Sequence, residues 1–411
     1  MKSGILKKGT WKRTLYIMFI VQMMSSIGFS SIFPFLPLYV QSLGSSTGLG
    51  IELLAGLVYS AQAFSMMLTA PLWGIVADRY GRKLMVERAT YGGTLILLLM
   101  AFVANAEQLV ILRFIQGLIT GTVAAANALV AAEAPREETG YAMGLLQVGS
   151  GIGIALGPLI GGSIADLWGY GPAFYVTSGM LFLSGVLVSL GIRENYTPIP
   201  APARRKGYLL SEWKQILSGQ GVLMVYSLRS ISYLGSMMII PIAPLFIQSL
   251  LQNQAQLNTF TGLVIGASAT ASTLSGVYLG RLGDRAGHRR VFIACCLAGA
   301  LLYLPQGLVT AGWQLLILQA LAGLALGGVV PSISAMLARL TAPGHEGAVY
   351  GLDNSIVSGT RSIAPLVGSA VAAGLGLRAV FPVITALFIL AAVLGTLKLP
   401  AREVSEASTV T

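Results

Sequence analysis

The stretch Gly74-Ile75-Val76-Ala77-Asp78-Arg79-Tyr80-Gly81-Arg82-Lys83 lies between two long apolar runs and returns 206 positions later as Gly280-Arg281-Leu282-Gly283-Asp284-Arg285-Ala286-Gly287-His288-Arg289. A short charged turn between two segments of membrane length has to sit in water. Its arginines and lysines place that water on the cytoplasmic side, because basic loops resist translocation. A second copy half a chain away implies two halves built on one plan, and no other feature restricts the possible folds as strongly.

Composition points the same way. Of 411 residues, 55% are hydrophobic and only 10% charged, against roughly 25% charged in soluble domains. The 50 glycines suit helices packed closely in lipid, where small residues let backbones approach. The net charge of +11 is confined to short loops and ends, so it reads as topology and not as a nucleic-acid surface. Cys295 and Cys296 are adjacent in an apolar run, and the two histidines, His288 and His345, fall in loops. That leaves no metal-ligand or disulfide spacing. With no nucleophile motif or phosphate loop either, the chain reads as a non-enzyme without a cofactor.

Runs long enough to cross a bilayer number twelve, at 14–41, 51–76, 84–104, 108–131, 141–164, 173–192, 221–249, 259–280, 291–310, 313–338, 348–373 and 379–398. The first run is too long for a signal-peptide core and contains Pro34 and Pro37, so it reads as a first transmembrane helix. With both termini cytoplasmic, the outer loops hold only Arg378, and Arg113, Arg229 and Arg361 fall within spans. The other 22 of 26 basic residues are then cytoplasmic, which fixes the orientation. Between spans six and seven, residues 193–218 carry Pro198, Pro200, Pro202 and Arg204-Arg205-Lys206, with a tail around Trp213 suited to a short interfacial helix. This linker separates an N-terminal bundle at 1–192 from a C-terminal bundle at 219–411.

The duplication reaches into the spans. Ile32-Phe33-Pro34-Phe35-Leu36-Pro37-Leu38 matches Ile239-Ile240-Pro241-Ile242-Ala243-Pro244-Leu245 at a separation of 207, as Gly144-Leu145 matches Gly351-Leu352. An even number of spans per half makes the repeat parallel. The expected fold is all-α, with twelve transmembrane helices in two pseudo-symmetric six-helix bundles around a central cavity.

At these residues the chain resembles the major facilitator superfamily, and within it the twelve-helix drug:proton antiporters. The two charged loops look like the superfamily's signature, and Leu112-Arg113-Phe114-Ile115-Gln116-Gly117 looks like its helix-four motif. Gly153-Ile154-Ala155-Leu156-Gly157-Pro158-Leu159-Ile160-Gly161-Gly162 is similar to its helix-five antiporter motif. The resemblance implies a conformational latch made of Gly74, Asp78, Arg79, Gly81 and Arg82 with Glu133, and of Gly280, Asp284, Arg285 and Gly287 in the second copy. Asp78 would meet the start of span eleven near Ala348, and Asp284 the start of span five near Gly140. A carboxylate suits that place because the first N–H groups of a helix lack partners.

Several positions keep two readings. Gly153, Gly157, Pro158, Gly161 and Gly162 either form a bending helix at the interface between bundles or serve close packing alone. Arg113 heads a stripe with Gln116, Thr120, Ala124 and Asn127 that lines the cavity for coupling or substrate, or it makes interhelical hydrogen bonds. Asp353, the one acid inside a span of the second half, pairs with an arginine or carries a proton. Span one offers no carboxylate, only Gln22, Ser25 and Ser26. For the substrate pocket we single out Gln22, Met23, Ser26, Phe29, Phe33, Tyr59, Gln62, Gln116, Asn127, Arg229, Tyr233, Met237 and Arg361, a set of adaptable apolar and polar side chains.

The sequence therefore predicts a monomeric multi-pass protein of the cell membrane that exports amphipathic small molecules against a proton gradient. A second reading, drawn from Arg229 and Arg361, gives the same fold an anionic, sugar or lipid-linked cargo. A third is a membrane receptor that moves nothing.

Overall fold

A computed structural model describes residues 10–135, 138–194, 221–340 and 346–398; of the linker expected at 193–218, all but residues 193 and 194, with its interfacial helix, lies outside the described residues. The described chain is helical because a backbone in lipid must satisfy its own N–H and C=O groups. The first half contains α1 (Thr10–Ser30), α2 (Leu36–Leu43), α3 (Ile51–Tyr80), α4 (Arg82–Met100), α5 (Ala106–Ile119), α6 (Thr122–Glu133), α7 (Thr139–Trp168) and α8 (Tyr170–Gly191). The second half contains α9 (Val222–Met238), α10 (Ala243–Leu250), α11 (Leu257–Ala286), α12 (His288–Tyr303), α13 (Gly312–Leu326), α14 (Val329–Leu340), α15 (Glu346–Leu375) and α16 (Val380–Lys398). Among the described residues, ten helical segments are long and apolar enough to cross a membrane. α4 carries Arg82, Lys83, Glu87 and Arg88 in its first two turns.

Four expected spans are broken in two. Spans one and seven interrupt at Ser31–Phe35 and Ile239–Ile242, where Pro34 and Pro241 remove backbone donors. Span four stops at Thr120 and restarts after Gly121, whose φ of 133° only glycine adopts readily. Span ten turns at the matching position, Gly327-Gly328. The carbonyls freed by the span-four break have partners: Trp73 Nε1 donates to Leu118 O at 2.7 Å and Arg88 Nη2 to Thr120 O at 3.5 Å. The Arg88 guanidinium also stacks 3.5 Å over the Trp73 ring. The break corrects one expectation, since Arg113, Gln116 and Thr120 no longer share a continuous helix face with Ala124 and Asn127.

Helices approach through glycines set against carbonyl oxygens, and these contacts recur at the separation of the sequence repeat. Gly161 of α7 has no room for a Cβ because Ser31 O occupies the place; 207 positions on, Gly368 of α15 faces Met238 O in the same way. Gly117 of α5 covers Gln62 O, and Gly323 of α13 covers Ser268 O, both pairs 206 apart. Apolar cores fill each half. One gathers Phe35, Tyr39, Leu97 and Phe174, and another Phe246, Phe292, Phe381 and Phe388.

Between the halves the same device joins both pairs of facing helices. Gly262 of α11 is pressed on Pro158 O of α7, and Gly56 of α3 lies with its missing Cβ 2.9 Å from Pro365 O of α15. These contacts stop part way along the helices, at Gly151–Thr273 and Met67–Gly359. Toward the charged loops, Gly74, Gly140 and Gly144 have no heavy atom within 4 Å of a built Cβ, and Leu274 and Tyr278 are 69% and 70% exposed. Among the described residues, the bundles meet at the end away from the charged loops and stand apart at the end that carries them.

A carbonyl-to-glycine contact leaves no volume for a methyl group. Gly161→Ala should lower stability in detergent by about 1–3 kcal/mol through overpacking. Gly179→Ala, on an exposed part of α8 with nothing within 4 Å, should be neutral or raise it by up to ~1 kcal/mol. Thermal unfolding midpoints measure both, and equal shifts would contradict this packing.

Candidate functional site: the seam between the bundles

The sequence-derived pocket divides on inspection. Gln22 and Ser26 face α7: Gln22 Nε2 donates to Ser150 Oγ at 2.7 Å, and Ser26 lies under Gly153. Their neighbour Ser30 donates to Gly153 O at 2.9 Å. The glycine row Gly149, Gly153, Gly157 and Gly161 thus binds α7 to α1 within one bundle, and close packing accounts for it. The interface role falls on the adjacent edge of the same helix, where Pro158 O meets Gly262 and Gly162 meets Asn258 O.

Phe29 packs toward Gly93 of α4, 3.4 Å from a built Cβ, and not toward the other bundle. Phe33 and Tyr59 form a ring pair at 5.8 Å, with the Tyr59 hydroxyl donating to Phe33 O at 3.0 Å. Met23, Gln62 and Asn127 are half-buried, and Met237 packs on the second-half core.

Arg113 is 1% exposed. Its Nη1 donates to Gln116 Oε1 at 2.8 Å and its Nε to Val58 O at 3.3 Å, while the guanidinium lies 5.6 Å from the Tyr59 ring centre. Among the described residues no carboxylate pairs with it, and Arg113 Nη2 and Gln116 Nε2 have no partner. It is a buried guanidinium held by neutral groups between α3 and α5.

In the second half, Arg229 of α9 and Asp353 of α15 form an ion pair at 3.3 Å, with side chains 11% and 14% exposed. Asp353 Oδ1 and Arg229 Nε and Nη1 have no further partner, so the pair is only partly satisfied. One turn along α9, Tyr233 Oη accepts from Arg361 Nη2 at 2.8 Å and Nε at 3.1 Å. On α15, Arg361 lies between the positions that meet α9 (Gly368) and α3 (Pro365, Ser369), opposite Ile363, which is bare on the outer surface. Its exposed guanidinium therefore faces the space between the bundles.

At the charged end, the first turn of α4 is capped by a residue that sequence reasoning missed. Glu194 accepts from the backbone N–H of Arg82 at 3.0 Å and of Lys83 at 2.7 Å. Lys83 pairs in turn with Glu87 at 3.5 Å. Glu133, expected beside Arg82, is half-buried; burial pushes its carboxyl above the usual range, Glu194 adds to the rise, and the Thr14 hydroxyl opposes it. Asp284 lies 3.2 Å from His288 on its own turn and is 71% exposed, away from Gly140. The side chain of Asp78 and those around Ala348 lie outside the described residues. The glycines after these aspartates, Gly81 and Gly287, end their helices at φ 96° and 95°. Arg79 and Arg285 are the basic residues of those last turns, and a Cβ on Gly280 would lie 3.5 Å from Pro331.

Removing Asp353 alone strands a buried guanidinium. Asp353→Ala should destabilise the protein by about 3–5 kcal/mol, and the double replacement Arg229→Met with Asp353→Leu should recover most of that. A double-mutant cycle on thermal unfolding measures it; additive losses would show that the pair is not coupled.

The described geometry has known counterparts. The family model for the Major Facilitator Superfamily matches residues 18–231 and again 225–410. Multidrug resistance protein MdtG of Enterobacter lignolyticus is 36% identical over 383 residues, covering 92% of this chain and 90% of that protein. MdtG of Serratia proteamaculans is also 36% identical, over 92% of each. Among solved structures, a bacterial homologue of the human lysosomal transporter Spinster, inward-facing and unoccupied, superimposes with TM-score 0.80 at 12% identity, covering 95% of this chain and 97% of that one. The human organic anion transporter MFSD10 gives 0.67 at 20% identity, over 94% and 100%. The chain is a multi-pass membrane protein and belongs to the major facilitator superfamily.

Proposed function

We propose that this protein is a secondary transporter that exports amphipathic small molecules, including structurally unrelated drugs, by alternating access coupled to protons. The observation that carries this reading is the seam itself: two bundles joined by matched glycine–carbonyl contacts at one end and separated at the other. Relatives at 36% identity carry the name multidrug resistance protein. The loop charges favour a place in the cell membrane with both termini and the charged loops cytoplasmic; both sides of the seam come from one chain, in bundles spanning residues 1–192 and 219–411, which suits a monomer. In that orientation the cavity opens to the cytoplasm. The loops around Asp78 and Asp284 then act as the latch of the opposite state, when the bundles meet at that end.

Asp353 is the proton-coupling residue in this reading. It is half-satisfied by Arg229, so protonation would free the arginine, and deprotonation would restore the pair. A second cargo class has its own support. Arg361 faces the seam with only a tyrosine hydroxyl as partner among the described contacts, and an anionic, sugar or lipid-linked head group would suit it.

Cargo added to purified protein in weakly buffered detergent should release protons, and Asp353→Asn should abolish at least about nine-tenths of that release. Unchanged release in the variant would remove Asp353 from the mechanism. In the same experiment across cationic, neutral and anionic amphiphiles, Arg361→Ala should weaken only the anionic ones; uniform weakening would reject the anion reading.

A further inference from the structure

The structure assigns a latch at the end of the seam away from the charged loops, and its central group is Asp166. This aspartate closes the last turn of α7, and its carboxylate crosses to the other bundle and covers the start of α11. Oδ1 accepts from the backbone N–H of Asn258 at 3.1 Å and from Asn258 Nδ2 at 2.7 Å. Oδ2 accepts from the backbone N–H of Thr259 at 2.7 Å. The first N–H groups of a helix have no partner within it and carry the positive end of its dipole. One carboxylate thus answers two such groups, each bond strengthened by its charge.

The bonds exist only while the bundles touch here. One turn back on α7, Gly162 is pressed on Asn258 O and Gly262 on Pro158 O. Any rocking that opens this end must draw Asp166 off α11 and leave those N–H groups to water. The interaction therefore stabilises the state seen here, open toward the charged loops, over its alternative. It holds for any cargo and any coupling ion.

Local sequence supports the assignment. Asp78 and Asp284, at the opposite end, each precede by three residues a helix-ending glycine of positive φ. Asp166 does the same with Gly169, at φ 90°. The three share one local pattern, Asp-x-x-Gly, and differ in the end of the molecule they occupy. At this end the device is single: the counterpart of Asp166, 207 positions on, is Ala373, and that of Asn258, 206 back, is Glu52. The α7–α11 seam is latched by charge, whereas the contacts described at the α3–α15 seam are the packing of Gly56 on Pro365 and Ser369. Release of one carboxylate then removes the charged part of the closure and leaves glycine–carbonyl packing to hold this end.

The test is an electron–electron distance measurement on full-length protein spin-labelled at Leu49→Cys and Gln252→Cys, exposed sites in the two loops at this end, with Cys295 and Cys296 replaced by Ser. Asp166→Ala should raise the population with the longer distance by about tenfold or more relative to the parent, as expected for losing charge-assisted bonds. Asn258→Ala, which removes one donor of three, should raise it less, and Asp166→Asn should fall between Asp166→Ala and the parent. A purely structural role would lower the unfolding temperature and leave the distances alone. An unchanged distance distribution in Asp166→Ala overturns the proposal, and if that variant does not fold, an unchanged distribution in Asn258→Ala does so.

Discussion

Everything in this molecule depends on backbone carbonyls lying against glycines where helices cross. In lipid no hydrophobic force draws one apolar helix to another, so association rests on close van der Waals packing and a few hydrogen bonds. Gly161 on Ser31 O and Gly117 on Gln62 O build the first bundle, and Gly368 on Met238 O and Gly323 on Ser268 O build the second. Gly262 on Pro158 O and Gly56 near Pro365 O join the two. The pairs within bundles and the pairs between them use the same chemistry. What separates a permanent contact from a reversible one is how far it extends. Inside a bundle it is backed by aromatic cores, whereas at the seam it ends part way along the helices.

Charge is distributed according to the same division. Arg113 is sealed inside the first bundle by Gln116, Val58 O and Tyr59, a costly burial that fixes α5 against α3. Arg229 and Asp353 tie α9 to α15 within the second bundle yet leave hydrogen-bonding capacity unused. Charges that cross between bundles lie at the ends, where water can receive them when contacts break.

The sequence made the duplication legible through Asp78 and Asp284, and the matched glycine contacts in the structure recur at its spacing of 206 and 207 residues. It did not reveal which face of α7 did which task. Gly149, Gly153, Gly157 and Gly161 form a periodic row, and periodicity reports a shared face without saying what that face meets. The break after Thr120 was hidden because a lone glycine in an apolar run looks like a packing residue; only the paired break at Gly327 distinguishes it. Asp166 was readable in principle, since it repeats the Asp-x-x-Gly pattern, but it lacks the flanking arginines that drew attention to the other two. Glu194 was hidden for another reason: it caps α4 from 111 and 112 positions away in sequence, and local patterns do not carry such contacts.

The central claim is that the seam opens and closes while each bundle stays rigid. A disulfide between Gly151→Cys and Thr273→Cys, where a Cβ built on Gly151 of α7 would lie 3.9 Å from Thr273 Cγ2 of α11, would lock the seam where its contacts end. Flux of a fluorescent amphiphile in proteoliposomes should then stop on oxidation and return on reduction. Undiminished flux through the fully oxidised protein would mean that cargo crosses without the bundles parting, and the account would fail.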